Sequence, residues 1–482
     1  MSKSNLFENF EFVSAKAWKQ KIQFELQGKD FNSHLVWNSI EGIDVKPFYH
    51  SEAYSKAPKI QHNASDWKIG HSIYVNSIEK SNKHAIELIE SGIESLHFTL
   101  PTENIPVEKL LEHIETSCIP IYFEPLFLSE KLIKGLQAFS LKSKSSFYIL
   151  QDPIGYLSKH GNWHENLKID FHTLKQTISL GSNLKSVISV DLGLYQNAGG
   201  SMIQQLAYTL AHVNEYLNLF DAERIKSVVF KVSIGSNYFF EIAKLQALRV
   251  LWQSLTKDYG LSIDCHILSQ PSRRNKTIYD YNINMLRTTT ECMSAILGSS
   301  NTIINMPYDQ LFHKDNKFGN RLSRNQLLIL KKESYFDNVS NPTEGSYYIE
   351  TLTQQLAQKS LDLFKEIEDQ GGFLKLLKKG VIQRKLKEQA SKEKDLYDDG
   401  TEGLLGTHFQ QNPVDKMKSN LEIYPFLFPL SKLSVLSIHV FRLSIMVSTS
   451  VIVSLRDLGV DSCLGMKNVS INDLSMTSAS SL

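Results

Sequence analysis

Short apolar runs alternate with amphipathic helical patterns from about residue 70 onward. Runs rich in Val, Ile, Phe and Tyr predict strands at 71–75, 95–100, 119–123, 147–151, 187–192, 227–233, 262–268 and 302–306. After each strand, apolar residues at helical spacing predict a helix, at 77–92, 107–117, 129–140, 171–180, 201–220, 238–255, 281–298 and 321–334. Apolar strands that each precede a helix are typical of a parallel sheet covered on its outer face.

Eight such units over roughly 260 residues have the size of a closed (β/α)8 TIM barrel. An open doubly wound sheet is the alternative. The number of units and the absence of GxGxxG after the first strand favour the barrel.

The segment that precedes the barrel has no sustained periodicity. Residues 1–66 predict an N-terminal arm with one amphipathic helix at 16–30. Such an arm must place its apolar groups against its own domain or a partner. The candidate partner-interface anchors are Trp18, Trp37, Phe48 and Tyr49.

The segments after the last strand complete the domain division. We expect a barrel with trailing helices at 67–390, interrupted at Gly371-Gly372, and a polar loop with a final segment at 391–426. The tail at 427–482 is rich in Ser and β-branched residues and is atypical of a folded domain. Its longest charge-free apolar run, 443–455, is too short to span a bilayer. One hypothesis is that the tail is disordered or translated out of frame.

The charge balance excludes two classes of partner. The chain has 52 basic and 51 acidic residues, so it lacks the electrostatic signature of a nucleic-acid or anionic-membrane protein. The cysteines, Cys118, Cys265, Cys292 and Cys463, are far apart, which favours a reducing compartment. The N-terminus MSKSNLFENFEF has no apolar signal-peptide core. We therefore expect a cytoplasmic location.

Barrel enzymes carry their working groups where the strands end. The polar residues at these positions are Asn76, Thr99, Glu124, Asp152, Asp191, Tyr195, Asn197, Ser233, Ser236, Asn237, Ser269, Gln270, Arg273, Arg274 and Asn305. They form no recognisable catalytic constellation. Asp152 and Asp191 could act as general bases, but an aspartate after a strand more often caps a helix or closes a turn. We favour the structural role for both.

Two further patterns suggest metal or corrin binding, and both are weak. His160 and His164 have ligand-like spacing but no third ligand beside them. The stretch DCHILS at 264–269 is superficially similar to the corrin-binding signature DxHxxG, but Ser269 replaces the glycine and the stretch is predicted to be a strand. We therefore predict no metal site. Cys292 and Met293 are most simply interpreted as packing residues.

The most specific motifs lie between residues 281 and 350. They are N-x-x-R-T-T-x-E at 284–291, R-x-x-R-N-x-x-x-I-L at 321–330, and NPTEGSYYIE at 341–350. These motifs resemble the end of the catalytic barrel of the methylmalonyl-CoA mutase family, and the resemblance extends over roughly 15–426. It implies radical interconversion of (R)-methylmalonyl-CoA and succinyl-CoA with adenosylcobalamin, which the family holds on a separate C-terminal domain that supplies a histidine to cobalt.

Within this family the opening at 18–49 is similar to the small-subunit type. Three positions depart from the catalytic pattern. Gly70 replaces an arginine, Ser72 replaces the tyrosine between substrate and corrin, and Leu194 replaces the histidine that binds the thioester carbonyl. The chain also shows no recognisable cobalamin-binding domain after the barrel.

The resemblance therefore implies a small, non-catalytic subunit of a heterodimeric mutase of propionate and succinate metabolism. The cofactor and the acyl-CoA are expected on the partner large subunit, and we predict no catalytic, cofactor or metal residue in this chain. One alternative is a divergent acyl-CoA mutase that works with a separate cobalamin-binding protein. Another is a regulatory binding module of the mutase.

Overall fold

The computed structural model describes residues 10–53, 64–220, 222–414 and 421–422. The arm contains α1 (Ala15–Glu25), α2 (Phe31–Leu35) and the short antiparallel pair β1 (Trp37–Asn38) and β2 (Asp44–Val45). The strands that follow are β3 (Lys68–Tyr74), β4 (Ser95–Leu100), β5 (Pro120–Pro125), β6 (Ser146–Gln151), β7 (Ser186–Asp191), β8 (Ser227–Ile234), β9 (Asp264–Pro271) and β10 (Thr302–Ile304).

These eight strands form a closed, parallel barrel, which confirms the predicted (β/α)8 fold. The barrel closes where β10 pairs with β3, Thr302 lying opposite Lys68. The longest ladder joins β8 to β9 over the whole length of both strands. That pairing carries β9 three residues beyond its predicted end.

The helices largely follow their predicted positions. They are α3 (Ile78–Glu90), α4 (Val107–Leu110), α5 (Glu130–Ser143), α6 (Pro153–His160), α7 (Leu167–Leu180), α8 (Gly193–Asn197), α9 (Met202–Leu219), α10 (Tyr238–Asp258), α11 (Ile283–Leu297), α12 (Lys317–Lys332), α13 (Tyr347–Asp369), α14 (Phe373–Lys378) and α15 (Val381–Asp398). Short 3₁₀ turns lie at Ser51–Ala53 and Ala222–Arg224.

Several helical predictions were wrong in detail, and α8 was not predicted. The helix at 107–117 ends at Leu110, before His113, whose φ of 61° is left-handed. Helix α6 was not predicted, although Asp152 caps it and Pro153 occupies its first position. The polar loop expected from 391 begins later, because α15 continues to Asp398.

The main core lies between the strands and the helices that surround them. Trp67, Phe98, Phe230 and Trp252 are among its largest fully buried side chains. A second, smaller apolar cluster fills part of the barrel lumen. The parallel strands are thus covered on both faces, as their apolar sequences predict.

Part of the arm is anchored to the barrel of the same chain. Ser39, Glu41 and Ile43, in the turn between β1 and β2, are buried. The Glu41 carboxylate accepts hydrogen bonds from the N–H groups of Met202 at 2.8 Å and Ile203 at 3.1 Å. These N–H groups lie in the first turn of α9, where unpaired backbone donors favour an anion. Residues 37–45 therefore lie on their own domain.

The beginning of the arm is different, because α1 has no buried residue. Phe10, Phe12 and Phe24 are 75%, 77% and 85% exposed. Among the described residues, no helix is both long and apolar enough to cross a membrane. The predictions for the tail at 427–482 lie outside the described residues.

Candidate functional site

The lower part of the barrel lumen is filled by aromatic and polar side chains. The Tyr122 hydroxyl lies 2.6 Å from His266 Nε2 and 2.8 Å from Thr302 Oγ1. The Tyr148 ring stacks on Tyr122 and His266, with centroids 5.0 and 4.2 Å apart. Side chains of Leu150, Val229, Leu268 and Ile304 pack around them. The carboxyl ends of the strands lie above this layer, and we call that end of the barrel the mouth.

A chain of polar contacts forms the floor of the mouth. Lys231 Nζ lies 2.6 Å from Glu124 Oε1 and 3.4 Å from Asp191 Oδ2. Glu124 Oε2 lies 3.0 Å from His97 Nε2, and His97 Nδ1 lies 2.7 Å from Ser72 Oγ. We call these five residues the mouth network. They come from five different strands, so the barrel itself sets their positions.

The charges within the mouth network stabilise one another. Burial alone would raise the pKa of Glu124, but the charge of Lys231 and the contact with His97 outweigh it and hold that pKa well below its ordinary value. Burial likewise opposes the charge of Lys231, but Glu124 and Asp191 raise its pKa above the ordinary value. Glu124 is thus ionised and Lys231 protonated across the neutral range.

The three positions that depart from the catalytic pattern lie around the lumen and the mouth. A Cβ on Gly70 would lie 2.8 Å from both Ile304 Cγ1 and Thr302 Cγ2. The space that a longer side chain would need is therefore occupied. Ser72 is exposed in the mouth and contacts His97. Leu194 lies half-buried on α8, where its side chain offers no hydrogen-bond donor.

Asp152 and Asp191 have the structural roles favoured from the sequence. Asp152 Oδ1 accepts the N–H of Gly155 and so caps α6, and it also accepts the Tyr216 hydroxyl at 2.7 Å. Asp191 Oδ1 accepts the N–H of Gly193 at 2.8 Å and so orders the turn into α8. Both carboxylates thus order the segment that follows their strand, and each also contacts another element, Asp152 through Tyr216 and Asp191 through Lys231.

The histidines singled out as possible ligands have other contacts. His160 and His164 both lie against the Tyr156 ring, with centroids 4.4 and 3.6 Å away. His266 lies inside strand β9, as predicted for DCHILS. Over the described residues, no group of three or more His, Cys, Asp or Glu side chains is placed to hold a metal ion.

The lumen histidines do not fit the cobalt-binding role that adenosylcobalamin requires. Burial, followed by the charges of Arg249 and Lys185, lowers the pKa of His266 to about 3, and its Nε2 contacts Tyr122. Both ring nitrogens of His97 face partners in the mouth network. Neither imidazole is free to reach a corrin.

The motif N-x-x-R-T-T-x-E holds loops together rather than lining the lumen. Asn284 accepts the N–H of Thr277 and donates to its carbonyl. Arg287 donates to the Leu405 carbonyl at 2.6 Å. Glu291 forms a fully buried ion pair with Lys276 at 2.8 Å. The most recognisable part of the sequence is therefore structural.

His97 and Lys231, which are central to the mouth network, were not predicted from the sequence. They lie inside β4 and β8 rather than at the strand ends, where functional residues of a barrel were expected. The available signal was a charged or ionisable residue within the apolar runs SLHFTL and SVVFKVS. In a strand covered on its outer face, such a residue usually points into the lumen, although His71 of β3 is buried on the outer face against His84.

The fold and this site define a parallel α/β barrel whose polar groups gather at the carboxyl ends of its strands. Residues 134–425 match the family model of methylmalonyl-CoA mutase. The chain is 32% identical over 446 residues to the methylmalonyl-CoA mutase small subunit of Porphyromonas gingivalis, covering 84% of this chain and 71% of that protein. The chain belongs to the methylmalonyl-CoA mutase family.

Two further relatives show how much of a family member the chain represents. It is 26% identical to the methylmalonyl-CoA mutase of Cereibacter sphaeroides over 81% of this chain and 64% of that one. It is 30% identical to the large subunit of Propionibacterium freudenreichii subsp. shermanii over 49% of this chain and 35% of that one. The chain thus spans about two thirds or less of these two proteins.

Proposed function

We propose that the chain is the small, non-catalytic subunit of a heterodimeric, adenosylcobalamin-dependent methylmalonyl-CoA mutase. In this proposal the large subunit binds the cofactor and the acyl-CoA and interconverts (R)-methylmalonyl-CoA and succinyl-CoA. The small subunit stabilises the working conformation of the large subunit. The complex acts in the cytoplasm, in propionate and succinate metabolism.

The filled lumen is the observation that carries the proposal. The layer of Tyr122, Tyr148 and His266 occupies the barrel interior, and the bridge between Lys231 and Glu124 crosses it above. An acyl-CoA that entered the mouth would meet this floor. Binding it deeper would require breaking an ion pair that is largely removed from solvent, which is costly.

The replaced positions support the same conclusion. Even a Cβ at Gly70 would require the neighbouring side chains to move. The packing around this position therefore leaves no room for an arginine. Neither the hydroxyl of Ser72 nor the methyl groups of Leu194 can perform the chemistry of the tyrosine and histidine that they replace. These residues therefore do not form the family's substrate site.

The arm supplies the surface for a partner. Trp18 packs against Phe48 and Tyr49 against Tyr348, so these candidate anchors have contacts within the chain. Trp37 contacts Phe240 by one edge but remains 49% exposed. Together with Phe10, Phe12 and Phe24 it forms an exposed apolar set, which we call the arm surface. Such a set favours a protein interface.

The proposal is tested by purifying the chain alone and together with a methylmalonyl-CoA mutase large subunit. We expect stable one-to-one co-purification and isomerisation only when the large subunit is present with the cofactor. Isomerisation by this chain with only a separate corrin-binding protein would instead establish the divergent mutase. Transient association that regulates an already active large subunit would establish the regulatory module.

A further inference from the structure

The mouth network contains an ordered arrangement of hydroxyl, imidazole and carboxylate. Ser72 and His97 are directly opposite each other on β3 and β4, with Ser72 Oγ 2.7 Å from His97 Nδ1. The other ring nitrogen lies 3.0 Å from Glu124 Oε2. His97 is buried, whereas Ser72 is exposed in the mouth. Nucleophilic serines are activated by an imidazole that a carboxylate orients, whichever fold carries them; in the usual triad Nε2 faces the serine and Nδ1 the carboxylate, whereas here the two nitrogens are exchanged.

The charge of Glu124 determines which nitrogen of His97 acts as the base. An ionised carboxylate can only accept, so the proton of the neutral imidazole belongs on Nε2, which faces Glu124. Nδ1 then has a free lone pair, to which the Ser72 hydroxyl donates. The contact between Nε2 and Oε2 is close but not aligned as a hydrogen bond. Glu124 therefore acts mainly through its negative charge, which stabilises the imidazolium.

The shape of the mouth limits what can reach Ser72. Tyr74, two residues further along the same face of β3, is 58% exposed and borders the opening. Below, Tyr122 and its neighbours fill the lumen. Ser72 is therefore approached from the mouth.

We propose that Ser72, His97 and Glu124 form an acyl-transfer centre that accepts activated acyl esters or thioesters at the mouth. Ser72 is its nucleophile and His97 its general base, while Glu124 is a positioning residue held by Lys231. The proposed subunit role is non-catalytic with respect to the isomerisation, and this reaction is separate from it.

The reaction needs only the ester and water. Ser72 Oγ forms a bond to the acyl carbon as its proton moves to His97 Nδ1. The bond from that carbon to the leaving oxygen or sulfur then breaks, and His97 returns the proton to the leaving group. A water molecule, deprotonated by His97, releases the carboxylic acid and restores the serine. The sum is ester plus water giving acid plus alcohol or thiol.

A second arrangement of this type in the chain is inaccessible. Tyr195 Oη lies 2.9 Å from His212 Nδ1, and His212 Nε2 lies 2.8 Å from Asp152 Oδ1. Tyr195 is 2% exposed and His212 is fully buried. This cluster braces the start of α6, and no substrate can reach its hydroxyl.

The test uses the purified full chain without a large subunit. The chain is treated with p-nitrophenyl acetate, with acetyl-CoA and with a fluorophosphonate, and the modified residue is located by peptide mass spectrometry. We expect modification at Ser72 and release of p-nitrophenol that falls at least about 100-fold in Ser72→Ala. The two acetyl donors distinguish an oxygen ester from a thioester as the preferred class.

Further variants separate chemistry from folding. Ser72→Cys keeps a nucleophile and should remain acylated, whereas His97→Gln should lose acylation. Glu124→Gln should lower the maximal rate about 10-fold or more while the concentration for half-maximal rate changes little. Ser33→Ala is the matched control, because Ser33 Oγ also contacts a histidine Nδ1, that of His34, but on the exposed arm. It should react like the wild type.

Unchanged modification in Ser72→Ala would overturn the proposal. So would a folded Ser72→Cys chain that takes up no acyl group, or equal losses in Ser33→Ala and Ser72→Ala. None of these outcomes bears on co-purification with a large subunit. The two proposals can therefore fail separately.

Discussion

Lys231 on β8 lies 2.6 Å from Glu124 on β5 and joins two strands that are separated by β6 and β7 in the barrel. Their side chains are 17% and 26% exposed, so the pair is screened by protein more than by water. Lys231 also lies 3.4 Å from Asp191. The ammonium of Lys231 thus compensates the charges of two carboxylates and holds the mouth network together.

Replacing Lys231 by Met should destabilise the chain. The substitution leaves the carboxylates of Glu124 and Asp191 close together without a cation. Removing one partner of a buried ion pair destabilises the fold, because the remaining charge is uncompensated. We expect a loss of about 1–3 kcal/mol in the free energy of unfolding, measured by urea denaturation. The control Lys134→Met removes only an exposed pair with Glu130 and should change stability by less than about 0.5 kcal/mol. Equal losses would contradict the role assigned to the bridge.

The contribution of Glu124 should depend on pH in a defined direction. Its pKa is lowered in the folded chain, because Lys231 and His97 outweigh the effect of burial. The stabilisation is therefore present above the unfolded pKa of about 4.3 and is lost as the pH falls toward the folded value. Lys231, whose pKa is raised, stays charged throughout this range.

This direction is measured with Glu124→Gln. The difference in unfolding free energy between wild type and variant should shrink below about pH 4, as the pH falls toward the folded pKa of Glu124. A difference that does not shrink below about pH 4 would contradict the assignment. Denaturation curves at matched ionic strength make the comparison, because salt screens these charges.

The packing at Gly70 predicts an asymmetry between two glycines. A Cβ there would lie 2.8 Å from side-chain atoms of Thr302 and Ile304, so Gly70→Ala should cost about 1–3 kcal/mol. Gly135 lies inside α5 with no atom within 4 Å of a Cβ, so Gly135→Ala should stabilise the chain by about 0.5–1 kcal/mol. Thermal unfolding of both variants measures this contrast. A neutral Gly70→Ala would show that the lumen has spare room.

The barrel was predictable because its signal is local and repeated. Each strand is a short apolar run followed by a helical pattern, and β4 has its predicted bounds. The helix boundaries that were missed depended on single residues, such as the left-handed His113. Closure followed from the number of units, because eight parallel strands of this length curl into a barrel.

The site was much less predictable, because its contacts join distant parts of the sequence. Glu41 meets Met202 across 161 positions, and Lys231 meets Glu124 across 107. No spacing rule relates such residues before the barrel register is known. The motif around Glu291 had the opposite property. It was conspicuous in sequence, yet it holds Lys276 in a buried pair away from the lumen.

That buried pair supports a double-mutant test of the structural role of the motif. Lys276 and Glu291 are 0% and 1% exposed, and burial lowers the pKa of Lys276 and raises that of Glu291. Glu291→Leu or Lys276→Met alone should cost about 3–5 kcal/mol, because each leaves an uncompensated buried charge. The double variant should cost clearly less than the sum. Additive losses in denaturant unfolding would contradict direct pairing.

The contact between Glu41 and α9 predicts a change in the arm rather than in the barrel. Glu41→Ala removes the acceptor of two N–H groups at the helix N-terminus, an effect of about 1–2 kcal/mol. Residues 37–45 should then be cleaved faster in limited proteolysis, while the barrel core stays resistant. Glu41→Gln keeps one acceptor oxygen and should be intermediate. Glu25→Ala, which removes only an exposed pair with Lys21, is the control.

The same variant connects the arm to the proposed partner. If the arm surface docks on a large subunit, loosening its anchor adds an ordering cost to binding. We expect Glu41→Ala to weaken co-purification about 10-fold, while barrel unfolding changes little. Equal affinity in Glu41→Ala would mean that the interface lies elsewhere on the barrel. Equal proteolysis together with weaker binding would instead assign Glu41 itself to the interface, which its burial argues against.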